Sequence, residues 1–424
     1  MKRGLLMFVF GAVVLASAAP IAAETKIEVT GQVRLREEFD KRSFDTSATT
    51  LTFGDLRTRV MVDAVVDENT HAVVQFQDSR RLGSTNQFGK DQSGTLNDSK
   101  NVDLHQAYIQ VDRLWGDGWG MKAGRFELNM GNQRVFGAVG WSNVGRAWEG
   151  GMGWYDHEQF KVTGFGLKRK EVNDATLNRD FDIFGGDLMI KKYYVDLFFF
   201  YEYDPDTVGL TRGQNKLDRG NAGLYYQRKY DASFDVELNG VFQFGQQASS
   251  GQTLEDDIEA FMFTAEFGYT FESSGNPRVA IGIDYSSGDD DLADTSLAGD
   301  TTFETYQNLY YTGHKFRGWT DYFVGSKTAG LVDLMLRGKV SPFEGWTVNS
   351  DIHLFQTAED YLSPINGATT TDVGWEFDLA IKTTKVQGVT FKGGVSLFLP
   401  EDDFAGFVDP DPGFWAYTMT TVNF

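Results

Sequence analysis

Cysteine is absent from the sequence, so no disulfide braces the fold and no thiol chemistry is open to it. Beyond Ala23 there is no long uncharged apolar run, which excludes a membrane-crossing helix of the roughly 20 residues a bilayer demands. Proline is scarce, 8 residues in 424, and no Pro-rich or Ser-rich linker divides the chain into domains. Positive charge is in deficit: 39 Lys and Arg against 60 Asp and Glu leave a formal charge of -21. That balance argues against a nucleic-acid partner and fits an exposed surface kept soluble by acidic loops.

What is present points to an exported membrane protein of another kind. Lys2 and Arg3 precede an apolar stretch from Gly4 to Leu15 and a run of small residues from Ala16 to Ala23. This is the pattern of a signal peptide cut before Glu24, and the apolar stretch is too short for an anchor. Mean hydropathy is negative at -0.34, yet aromatics reach 14% and glycine 47 residues. Such a chain can still sit in a membrane as a barrel whose lipid face uses only alternate residues.

Alternation recurs from Thr25 to Phe424. Near Lys26 to Phe39, Ile27, Val29, Val33 and Leu35 oppose Glu28, Gln32, Arg34 and Arg36; near Leu51 to Val66, Val60, Val62, Ala64 and Val66 oppose Arg57, Arg59 and Asp63. Later, Phe261, Phe263, Ala265, Phe267, Tyr269 and Phe271 oppose Met262, Thr264, Glu266 and Thr270. Val373, Trp375, Phe377, Leu379 and Ile381 oppose Glu376, Asp378 and Lys382. Each run has the length of a tilted membrane strand. The last, Gly413 to Phe424, ends on an aromatic residue and reads as the closing strand that pairs with the first.

The connections alternate too. Short joints fall at 67–69, 112–116, 156–158, 191–192, 229–231, 273–277, 341–344 and 384–387; long ones at 40–50, 80–101, 130–144, 170–178, 204–217, 246–255, 288–327, 357–370 and 400–411. Tight periplasmic turns and long outer loops are how outer-membrane barrels are built, and the pattern predicts an all-β, transmembrane antiparallel barrel of about 18 strands over residues 24–424. A barrel that wide holds water or its own loops. The longest connection, Gly288 to Lys327, is expected to fold into the lumen.

Among candidate functional residues, Arg34 with Arg36 and Arg57 with Arg59 lie two apart on neighbouring strands, so hairpin pairing gathers four guanidinium groups inside. They suit a track for anions, or they pair with Glu38, Asp40 and Asp63 to balance charge in a crowded wall. The cluster of Asp289, Asp290, Asp291 and Asp294 does not have EF-hand spacing and reads as a solvated charge run. His71, His105, His157, His314 and His353 show no linear metal-ligand spacing. Ser79, Ser142 and His105 sit in no GxSxG-like frame, so no enzyme and no cofactor is indicated. Tyr193, Phe199, Tyr201, Phe267 and Tyr269 read as lipid-facing, and Tyr108 and Tyr194 as inward rings able to stack on sugars.

Several short motifs occur in order: Arg57-Thr58-Arg59, Gln77-Asp78-Ser79-Arg80, Leu104-His105-Gln106-Ala107-Tyr108, Gly124-Arg125-Phe126-Glu127-Leu128, Gly131-Asn132-Gln133-Arg134, Trp141-Ser142-Asn143-Val144-Gly145-Arg146 and Gly313 to Asp321. Together they resemble the alginate export family of outer-membrane proteins, densely up to Gly151 and sparsely after it. The resemblance implies an arginine-rich conduit in the bacterial outer membrane through which an acidic polysaccharide such as alginate leaves the cell. Arg57, Arg59, Arg125, Arg134 and Arg146 would line it, with Gln77, Tyr108 and Asn143 as polar neighbours. Implied partners are outer-membrane lipid and lipopolysaccharide, the barrel-assembly machinery through the strand ending in Phe424, an anionic or polar solute, and periplasmic export proteins. The family's aromatic-Asp-Gly after the last arginine appears here as Trp148-Glu149-Gly150, after Ala147. Inward positions of the later strands are often acidic, namely Asp196, Glu202, Asp235, Glu237, Glu266, Asp284, Glu376 and Asp378, offset in part by Arg337 and Lys339. One basic and one acidic wall favour polyanions less than a basic ring does. The alternatives are an uptake porin for small organic acids or oligosaccharides and, from another class, a barrel-bound hydrolase or a structural surface protein.

Overall fold

The computed structural model describes residues 25–83, 102–171, 180–205, 216–231, 233–248, 256–290 and 302–424. The signal-peptide reading of Met1 to Ala23, and Asp291 and Asp294 of the acidic cluster, lie outside the described residues. The strands are β1 (Lys26–Lys41), β2 (Leu51–Asp67), β3 (Thr70–Arg81), β4 (Asp103–Asp112), β5 (Trp119–Phe126), β6 (Trp148–Asp156), β7 (Phe160–Lys170), β8 (Phe181–Ile190), β9 (Val195–Asp204) and β10 (Lys216–Tyr230). There follow β11 (Phe234–Ala248), β12 (Asp256–Thr270), β13 (Arg278–Ser286), β14 (Thr302–Phe303), β15 (Leu331–Val340), β16 (Trp346–Leu362), β17 (Thr369–Thr383), β18 (Val389–Pro400) and β19 (Gly413–Asn423). The two residues of β14 pair parallel with β12 inside a long connection. The other eighteen form one antiparallel ring in chain order. β19 pairs with β1 from Gln32↔Asn423 to Lys41↔Phe414, so no edge is left open to lipid.

Burial runs opposite to that of a water-soluble protein. Arg34 and Arg36 are 3% and 4% exposed, whereas their neighbours Val33 and Leu35 are 36% and 37% exposed. On β12, Ile258, Ala260, Met262 and Thr264 are buried while Phe261, Phe263, Phe267 and Tyr269 are exposed. Hydrocarbon therefore solvates one register and the barrel interior the other.

Two strand-level expectations are corrected. Val373 faces the interior, 1% exposed: Gly374 pairs with Phe355 and Asp372 with Gln356, so Val373 is an extra residue at a bulge and the alternation changes parity there. Gly374 takes φ +144 and a side chain at that position would meet the Leu399 carbonyl, which is why glycine occupies it. The long loop expected at 357–370 shrinks to 363–368, because β16 and β17 stay paired out to Leu362↔Thr369. Paired strands that emerge into water need no apolar face, so their alternation fades before their hydrogen bonding does.

The interior is filled from the long-loop side by residues 127–147 and by the stretch from Glu304 to Gly330. Their backbones bond to each other: Tyr310 N–H donates to the Val135 carbonyl (2.9 Å), Gly137 N–H to the Tyr310 carbonyl (2.8 Å) and Thr312 N–H to the Gln133 carbonyl (3.0 Å). Phe136 and Tyr310 pack on the inward residues Phe200, Leu167 and Ile183 of β9, β7 and β8, with Phe136 5.1 Å from Phe200. Phe323 seats against Phe355, Val373 and Phe398. Burying each such ring is worth about 1.5–3 kcal/mol, and these two apolar clusters fasten the inward loops to opposite parts of the wall.

Candidate functional site

Antiparallel pairing of β1 with β2 sets Arg34 across from Arg57 and Gln32 across from Arg59; β3 adds Ser79 across from Arg57 and Gln77 across from Arg59. The like charges and their polar neighbours are held by five successive backbone carbonyls of the first inward loop. Arg34 donates to Gly140 O (2.8 Å) and Ser142 O (3.0 Å), and Arg57 to the same two oxygens at 3.1 and 2.9 Å. Arg36 donates to Trp141 O (2.6 Å), Ser79 Oγ to Asn143 O (2.6 Å) and Gln77 Nε2 to Val144 O (2.8 Å). Each carbonyl has two lone pairs, so one oxygen can serve two guanidinium groups. Turning those carbonyls to the wall puts Val139 at φ 52, a left-handed conformation costing a β-branched residue of order 1–3 kcal/mol. A charge-assisted bond is worth about 1.5–3 kcal/mol, so the ladder outweighs that strain.

The carboxylates that sequence suggested as balancing charges behave differently from one another. Glu38 does pair with Arg36 (2.7 Å). Asp40 instead takes Arg42 (2.6 Å) and Asp63 takes His71 (3.0 Å). Arg59 bonds Gln77 (2.6 Å) and Glu127 (3.1 Å). Among the described residues, Arg34 and Arg57 form no ion pair.

Of the other sequence-named residues, Asn143 is buried in the same cluster, its amide donating to Leu56 O and Arg80 O at 3.4 Å. Arg134 pairs with Asp284 on β13, its guanidinium 3.9 Å above the Phe316 ring, and Arg146 donates to Tyr311 O (3.4 Å). Arg125 and Tyr108 lie apart from these: Arg125 pairs with Glu149 (2.8 Å), and Tyr108 lies under the Lys122 ammonium at 4.5 Å. Tyr194, read as inward, sits at a turn in left-handed conformation and is exposed. The Ser79 hydroxyl is committed to the loop and sealed, 0% exposed.

The acidic positions of the later strands are occupied by loop and wall groups. Glu202 pairs with Arg219 (2.7 Å), Asp284 with Arg134 and Arg317, and Asp235 and Glu266 with Arg278. Glu376 accepts the Thr320 N–H (2.8 Å) and is also bonded by the Trp319 N–H and Thr320 Oγ1. The acidic wall is thus divided between neighbouring wall arginines, as at Glu202, Asp235 and Glu266, and the inward loops, as at Asp284 and Glu376.

Below the two loops, toward the short turns, lies a cavity of about 520 Å³. Its cations come from one side of the ring and the second loop: Arg34 on β1, Arg278 on β13, Arg337 and Lys339 on β15, Lys392 on β18 and Lys315 from the loop, against Glu266 and Asp351. Among the described residues, Lys315, Lys339 and Lys392 have no ion-pair partner; Lys315 Nζ donates to Asn132 O (2.9 Å). Burial holds the Lys315 ammonium below its ordinary pKa, the mark of a cation that gains from an arriving anion. Trp141, stacked on His314 at 4.0 Å, and Trp319 supply flat apolar walls. Sequence reasoning did not single out Lys315, Lys392 or Arg317. Lys315 and Arg317 stand in the 313–321 motif, a signal that could have found them; Lys392 has no such signal, because its neighbours come from distant strands.

The alginate export family matches residues 25–404. No curated protein sequence matches the chain. Among solved structures it is similar to a BenF-like porin from Pseudomonas fluorescens Pf-5 (10% identity, 94% of this chain and 98% of that one, TM-score 0.61). It is also similar to Pseudomonas aeruginosa OpdK with vanillate (9%, 94% and 98%, TM-score 0.60) and to P. aeruginosa OccK8, or OprE (12%, 94% and 98%, TM-score 0.58). At such identities the likeness shows the fold alone. The family match is of a different order, since it runs through every strand of the closed ring except the last: the chain belongs to the alginate export family and is a β-barrel channel of the bacterial outer membrane.

Proposed function

We propose that the channel conducts carboxylate-bearing solutes and that its cargo is an acidic polysaccharide leaving the cell. The observation that carries this reading is the cavity lined by Arg34, Lys315, Arg337, Lys339 and Lys392, in which the lysines carry no partner carboxylate among the described residues. A uronate chain presents carboxylates at regular intervals and exchanges one cation for the next without leaving the field of the cavity. Reconstituted in a planar bilayer, the protein is expected to prefer anions, and Lys315→Glu with Lys392→Glu to move the reversal potential toward cations. Cation selectivity in the unaltered protein would refute the reading.

A second reading, uptake of small organic acids, is favoured by the size of the cavity, which holds a single-ring acid rather than a polymer, and by the vanillate in the OpdK structure. The two separate on current block. An exporter of polyuronate is blocked more strongly by a long oligouronate than by its monomer, whereas a small-acid porin responds to the monomer and ignores the oligomer.

A further inference from the structure

On β16, Asp351 and His353 stand two apart on the inward face, and the register sets Asp351 across from Asp378 on β17. Two carboxylates directly opposed across a ladder repel unless something lies between them. One ligand atom from each of Asp351, His353 and Asp378 falls within 4.8 Å of the others. His353 Nδ1 is 2.9 and 3.0 Å from the two oxygens of Asp333 on β15, so that nitrogen carries the proton and donates. Its Nε2, left with a lone pair, lies 3.8 Å from Asp378 Oδ2. Both atoms are buried and neither has a hydrogen-bond partner, in side chains that are 1% and 0% exposed. Two acceptors facing each other out of reach of water are satisfied by a cation between them.

We infer that Asp351, His353 and Asp378 bind a divalent transition-metal ion of the zinc class on the inner wall of the barrel. One imidazole with two carboxylates is a nitrogen–oxygen set suited to zinc, whereas calcium takes six to eight oxygens. Two ligands of a tetrahedral zinc with bonds of about 2.0–2.1 Å lie about 3.3 Å apart; His353 Nε2 and Asp378 Oδ2 are 3.8 Å apart and the three ligand atoms lie within 4.8 Å of one another, so the side chains draw together on binding. The Asp333–His353 pair is the carboxylate–histidine arrangement that orients a metal-binding imidazole. Asp351 lines the 520 Å³ cavity, so an ion arriving through the lumen meets it first. Arg337, whose Nε is 4.0 Å from Asp351, is the neighbouring cation; it also serves Glu266 (3.1 Å). Glu376, two residues before Asp378, is taken up by the second loop and is not a ligand. Binding would clamp β16 to β17 beside that anchor.

The test uses the full folded chain in detergent, stripped with a chelator, incubated with zinc and passed through gel filtration. One zinc per chain is expected, with no competition from calcium. His353→Gln and Asp378→Asn are expected to weaken binding by about 100-fold or more, and Asp333→Asn by about 10–100-fold. Unaltered protein that emerges without zinc, or a folded His353→Gln, Asp378→Asn double variant that retains it, overturns the assignment. Should the double variant not fold, cobalt added to the unaltered protein decides: visible absorption displaced by zinc supports the site, and its absence overturns it.

Discussion

Arg57 is 4% exposed and forms no ion pair among the described residues, yet a buried guanidinium is tolerated only where its donors are met. Gly140 O, Ser142 O and Gln32 Oε1 meet both terminal nitrogens, the last at 2.7 Å, and only Nε is left without a partner. Replacing it by alanine removes three charge-assisted bonds and relieves its repulsion with Arg34. We expect Arg57→Ala to lower stability by about 2 kcal/mol and to raise single-channel current, because the 140–144 segment loses part of its hold. Thermal unfolding in detergent and bilayer recordings check both, and an unchanged current would mean that the apolar contacts of Phe136 hold the loop unaided. Ser79→Ala, which deletes the neutral bond to Asn143 O, is expected to cost about 1 kcal/mol. The inward placement of these arginines was legible from their spacing of two. Their partners were not, because a backbone carbonyl has no letter of its own in a sequence.

Strands and connections differ in how openly they announce themselves. Strand β12 shows a clean period of two, and Phe263 near its middle is exposed to lipid. Phe263→Arg is accordingly expected to destabilise the barrel by about 2–4 kcal/mol, measured as a shift in the unfolding midpoint; a neutral result would place β12 away from hydrocarbon. Strand β17 was harder, since the bulge at Val373 shifts parity at a point where the letters still alternate. The longest connection was expected inside, and its described part from 302 onward lies there. The equally inward 127–147 was legible as a long connection at 130–144 and as a run of family motifs, with nothing in its spacing to say that it turns into the lumen. It crosses from Arg34 and Arg57 to Glu237 on β11, bonded by Asn132 at 2.7 Å, nearly the full width of the ring.

The molecule as a whole carries -21 around a lumen whose cavity is basic, so the sign of the total charge does not report the sign of the path. Selectivity that arises from such a field weakens as salt screens it, the Debye length falling from about 10 Å at 0.1 M to about 3 Å at 1 M. Anion preference is therefore expected to shrink between those concentrations, read from reversal potentials; a preference indifferent to salt would point to close contacts in the constriction instead. Strand number, the lipid-facing register and the alternation of short and long joints could all be read from the letters, because hydrocarbon and water sort neighbouring residues and leave a period of two. Folding alone settled that 127–147 also enters the lumen, which cations line the cavity and which side chains meet as Asp351, His353 and Asp378. Those groupings join positions as far apart as Gln133 and Thr312, separated by 179 residues, and closure of a ring brings such positions together without leaving any trace in their spacing.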